Sequence, residues 1–115
     1  GIIRASVYRG SRNVIPHASL VSIRLTKEVV LPEFLALYLN SPAMQHYLQR
    51  ISVGEVINAL RLPDIRQIEI PEISLERQQE AFAMFQNIQD QKNSYQEIME
   101  NLDKIWKTSI TNLTQ

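Results

Sequence analysis

The chain has 115 residues, 44% of them hydrophobic, with 12 Lys/Arg balancing 12 Asp/Glu and no cysteine. That length suits one domain, the apolar content excludes a disordered chain, and the lack of cysteine excludes a disulfide framework or a thiolate metal site. No apolar run approaches the ~20 residues needed to cross a bilayer and no signal peptide is recognisable, so a cytoplasmic location with no membrane partner is expected.

The chain opens at Gly1 without an initiating Met, inside what reads as a strand, so a piece of a longer or processed protein is expected. Ile2 to Tyr8 alternates, with Ile3, Ala5 and Val7 on one face and Arg4, Ser6 and Tyr8 on the other. Arg9-Gly10-Ser11-Arg12-Asn13 follows as a polar turn with arginines on either side of a glycine, and Val14-Ile15 leads to Pro16 and His17. A second strand is predicted over Leu20 to Thr26, where Val21, Ile23 and Leu25 share a side.

Leu31-Pro32-Glu33 opens a helix, because proline suits a first helical turn; Phe34, Leu35, Tyr38 and Leu39 form its apolar face, expected to pack on the sheet. Pro42 disfavours helical geometry at Ser41, while Ser41 is a good cap for a second helix running to about Arg50 and burying Met44, Tyr47, Leu48 and Ile51. After Val53-Gly54 a mixed stretch reaches Arg61. Leu62-Pro63-Asp64-Ile65 reads as a short turn, Gln67 to Ile70 as a strand with Ile68 and Ile70 inward, and Pro71 ends it. The expected fold class is α+β, a small mixed sheet with short packed helices followed by a long C-terminal coiled-coil helix. The expected division is residues 1–73 and 74–115.

The long helix is the clearest element. Ser74 to Leu113 contains no glycine or proline, Ser74 is placed to cap its first N–H groups, and Glu76 and Glu80 suit the positive end of the helix dipole. Phe85, Ile88, Lys92, Tyr95, Met99, Leu102, Trp106, Ser109 and Leu113 recur at alternating steps of three and four, the a/d pattern of a coiled-coil seam. Lys92 and Ser109 are polar interruptions of the kind that set register, and Ile98 and Ile105 broaden the stripe. At ~1.5 Å per residue the helix would be about 60 Å long, more than the 73 residues before it can cover, so another helix is expected along it.

Zero net charge hides a split. Residues 1–63 carry seven Arg/Lys against three Glu, a net +4, and residues 64–115 carry five against nine, a net −4. Nucleic acid, if bound, should therefore meet the first part only. Catalysis within the chain is not expected. His17 and His46 are the only histidines and neither has metal-ligand spacing, and there is no phosphate-binding glycine loop, nucleophile elbow or suggestive carboxylate pair.

The order of elements is more specific than any one of them. The stretch LPEFLALYLNSPAMQHYLQRISVGEVINALRLPDIRQIEIPEISLERQQEAF resembles the C-terminal half of a target recognition domain from the specificity subunit of type I restriction–modification systems. The likeness runs from about Leu20 to Gln79 and rests on PEFL…YLNSP, a helix, a glycine followed by a polar stretch, L-P-D-I-x-x-I-x-I-P, and a helix opening on L-x-x-Q. The long helix then takes the place of that family's spacer helix. Two departures stand out: Pro71-Glu72-Ile73-Ser74-Leu75 replaces the usual Pro-Pro-Leu, and no N-terminal half-domain is present.

The resemblance implies a subunit that reads an asymmetric double-stranded DNA site while methyltransferase (modification) and restriction subunits perform the chemistry. No cofactor is then expected in this chain; S-adenosylmethionine, ATP and Mg would belong to those partners. A rigid helical spacer fits the role, since half-site separation follows from protein geometry. Base reading needs donors and acceptors on loops, arginine for guanine and asparagine for adenine, which points to Arg9, Ser11, Arg12 and Asn13, and to Gly54, Asn58 and Arg61. Phe85, Ile88, Tyr95, Met99, Leu102, Trp106 and Leu113 would form the partner seam, closed on a second spacer helix by self-association if the chain is a fragment. Gln91, Glu97, Asn101 and Lys104 would offer polar faces to a methyltransferase subunit. The alternative is a coiled-coil adaptor or dimerisation module that binds no DNA, to which the acidic helix and zero net charge lend some weight.

Overall fold

The computed structural model describes residues 3–10, 12, 20–52 and 60–115. Among the described residues there are four helices: α1 Pro32–Leu39, α2 Pro42–Ile51, α3 Leu62–Arg66 and α4 Leu75–Leu113. Two compact units emerge, Gly1–Phe82 and Ala83–Gln115.

Proline at the first or second helical position marks α1, α2 and α3, where its fixed φ is helical and its missing N–H has no intrahelical bond to make. Between α1 and α2 the chain turns on Asn40 and Ser41. The Asn40 N–H still donates to the Ala36 carbonyl at 3.0 Å, while the Ser41 hydroxyl accepts from the Met44 N–H at 3.4 Å to cap α2. That tight joint lays α2 against α1. Leu62 to Ile65, expected as a short turn, lies in the short helix α3.

The buried apolar residues among those described are Phe34, Leu39, Met44 and Leu48. Leu39, Met44 and Leu48 form a cluster, against which Ile3, Ala5, Leu35, Tyr38, Tyr47, Ile51, Leu60 and Ile68 pack with partial burial. The Phe34 and Tyr38 rings stack at 6.5 Å between centroids, and the Arg50 guanidinium lies over the Tyr47 ring at 5.6 Å. The core of the first unit is thus a helix pair wrapped by irregular chain.

This corrects the expected α+β class. No strand exists among the described residues, whose regular structure is helical. The predicted alternation is real in the first and last of the three segments: Ile3, Ala5, Val7, Ile68 and Ile70 are partly covered, whereas Arg4, Ser6, Tyr8, Gln67 and Glu69 are exposed. Alternation sorts side chains between two faces, but a sheet also needs a neighbouring backbone to complete the ladder. Ala5 finds its partner in a side chain instead. Its N–H donates to Asn40 Oδ1 and its carbonyl accepts from Asn40 Nδ2, both at 2.8 Å, so one amide supplies the two bonds that a strand neighbour would have made. The middle segment fares differently: Val21 and Ile23 are exposed and only Leu25 is partly covered. The face of α1 expected on a sheet packs on α2 and on the first and last of these segments.

In α4 the Ser74 hydroxyl accepts from the Arg77 N–H at 3.3 Å and the Ser74 carbonyl from the Gln78 N–H at 3.0 Å, which starts the helix where the capping residue predicts. The second unit is the remainder of α4. Its apolar residues, from Phe85 to Leu113, are exposed.

Candidate nucleic-acid interface

Among the described residues after position 7, two side-chain contacts stand out. The Tyr8 hydroxyl donates to the Arg12 carbonyl at 3.1 Å, folding the ring back over the loop. A Cβ at Gly10 would overlap the Tyr8 ring as it stands, so a larger residue there would have to displace the ring. Arg9 reaches away from the loop to α1, where its Nη2 donates to Glu33 Oε1 at 2.9 Å. Glu33 sits in the first turn of α1, a favourable place for negative charge at the helix's positive end.

Arg9 and Arg12 are both exposed, and the Tyr8 bridge holds the loop that carries them. The ion pair uses one Arg9 nitrogen, and the Arg9 side chain remains 66% exposed. Ser11 and Asn13, also assigned to base reading, lie outside the described residues, as do Gly54 and Asn58. Arg61, exposed at the start of α3, donates from Nε to Asp64 Oδ2 at 2.9 Å, a pairing at i,i+3 spacing. No hydrogen bond or ion pair among the described residues links Arg61 to the 9–12 loop.

The seam residues Phe85, Ile88, Tyr95, Met99, Leu102, Trp106 and Leu113 all stand exposed on α4, with Met99 at 63% and Trp106 at 65%. Ile98 and Ile105 flank them, also exposed. A shallow open groove beside Tyr95, bordered by Asp90, Gln91, Ser94 and Ile98, is helix surface and no enclosed cavity. Among the described residues no group of His, Asp or Glu is placed to hold a metal ion, and no helix is long and apolar enough to cross a membrane.

One residue was not anticipated. Gln78 is the buried polar side chain among the described residues, with its amide bonded to the turn before α1 and to the residue before Ser74. Its signal in the sequence was the glutamine of L-x-x-Q, whose polarity reads as a surface position.

The family model for the type I restriction modification DNA specificity domain matches residues 5–111, covering nearly all of the first unit and of α4. No curated protein and no solved structure matches the chain.

Proposed function

The chain belongs to the type I restriction modification DNA specificity family, and we propose that its first unit reads bases while α4 joins it to the rest of a restriction–modification complex. A DNA specificity role follows from the family itself. The finer reading assigns the 9–13 loop and residues 54–61 to base contacts, and assigns α4 to docking of methyltransferase and restriction subunits. The match over residues 5–111 carries this reading, because it includes the loop and the exposed stripe together. An adaptor without DNA binding would leave the basic bias of residues 1–63 without a use.

The braced loop supports the assignment. A loop closed by the Tyr8–Arg12 bond and tied by Arg9 to α1 loses less freedom on meeting a groove than an open one. Arginine there suits bidentate recognition of guanine, and phosphate contacts would add affinity that falls steeply with salt. On α4 the contiguous apolar stripe is of the kind that marks a protein interface. A second helix of the same geometry, from another copy or from the rest of a subunit, would close it. Methyl transfer and cleavage belong in this reading to the partner subunits, along with S-adenosylmethionine, ATP and Mg.

The test is binding of the chain, assembled with its methyltransferase subunit, to duplexes carrying the modified site. Arg12→Ala and Asn58→Ala should each weaken binding on the order of tenfold or relax sequence preference, and Glu97→Ala should do neither. If both loop variants bind and discriminate like the unchanged chain, the loop assignment is wrong. Calorimetry of the chain alone with S-adenosylmethionine should show no heat, and binding near one-to-one would move the chemistry into this chain.

A further inference from the structure

Gln78 is 1% exposed, and it is the only polar side chain buried this completely among the described residues. Its Oε1 accepts from the Leu31 N–H at 2.8 Å, and its Nε2 donates to the carbonyls of Val29 at 2.9 Å and Ile73 at 2.8 Å. Both amide hydrogens and one oxygen lone pair are thereby used. All three bonds lie within the first unit. Leu31 is the capping position of α1, so a single side chain ties the entry of α1 to the entry of α4 across 47 residues of sequence.

An apolar side chain of similar size could fill the same space, since packing alone has no need of an amide. What the amide adds is direction. Three bonds from one planar group to backbone atoms of two segments fix both the position and the rotation of the first turn of α4 on the 29–31 turn, and a slipped arrangement would leave buried polar groups unpaired. A spacer helix transmits a defined separation only if its first turn cannot swivel on the unit from which it starts.

We infer that Gln78 is a positioning residue for DNA recognition: it clamps the start of α4 to the turn before α1, and so sets the half-site spacing the complex accepts. This rests on the specificity reading above, and two measurements separate them. The first uses the chain by itself. Amide hydrogen exchange should show Leu31 protected, although its N–H makes no helical bond; Gln78→Met keeps the volume, removes the three bonds, and should cut that protection on the order of tenfold or more, with Leu35 and Leu48 unchanged. An unprotected Leu31 in the unchanged chain overturns the clamp whether or not the variant folds, and so does protection that survives in Gln78→Met. Gln78→Glu, which sets a carboxylate against two carbonyls, should also expose Leu31.

The second measurement uses the assembled complex with duplexes selected from a randomised library. Gln78→Met should broaden the accepted spacing between half-sites and leave base preference within each half-site unchanged, which a general loss of stability would not do. Unchanged spacing preference overturns the positioning role. A complex of the unchanged chain with no sequence preference overturns the specificity reading and the positioning role with it, and the amide measurement still decides the clamp.

Discussion

Helices α2 and α4 both carry an apolar stripe at helical spacing, yet they end in opposite environments. On α2, Leu48 is 3% exposed and Met44 8%, covered by α1 and by irregular chain from residues 3–5, 60 and 68. Along α4 beyond residue 82 the stripe from Phe85 to Leu113 faces water. A stripe therefore states that a face gains by burial and does not state what buries it. In the first unit the chain supplies its own cover; in the second the stripe stays exposed, and a covering helix is the proposal that the tests below address.

The comparison breaks most directly by truncating one leucine from each helix. Leu48→Ala should destabilise the first unit by about 2–5 kcal/mol in urea denaturation, because it removes a filled core position next to Leu39 and Met44. Leu102→Ala, 56% exposed, should leave the stability of the dilute chain nearly unchanged. Similar losses at both positions would mean that the two stripes are covered alike.

The next test sharpens what covers α4. Sedimentation equilibrium should show the unchanged chain self-associating and Met99→Glu monomeric, since the substitution would bury an unpaired carboxylate in the seam. A monomeric unchanged chain with its helix intact, seen by circular dichroism, would show that two copies of this stripe do not pair. The smallest expected effect lies at the joint that folds α1 onto α2. Ser41→Ala removes the cap that receives the Met44 N–H and should cost about 1 kcal/mol in the same denaturation, without altering association. A shift in association there would tie the two regions together in a way their separate environments do not suggest.

Local chemistry was legible along the chain. The prolines of α1 and α2, the Ser41 and Ser74 caps, and the glycine-free run of α4 depend on residues within one or two turns of each other, and spacing along the sequence captures such contacts. The Arg61–Asp64 pair is equally local. The alternation of Ile3, Ala5 and Val7 was also correctly read as a two-faced segment, although the sheet inferred from it is absent among the described residues.

What only the tertiary structure decided involves partners distant along the chain. Asn40 takes both bonding groups of Ala5, which lies 35 residues away, and so replaces a strand neighbour with a side chain. Arg9 meets Glu33 across 24 residues, which converts an apparently free loop cation into a brace. Gln78, a polar residue on a mostly exposed helix, becomes the most deeply buried side chain among the described residues because the backbone at Val29 and Leu31 comes to it. Periodicity records which side of an element prefers water. Which backbone groups a buried amide will satisfy depends on where distant segments pass, and that is set only when the chain closes on itself.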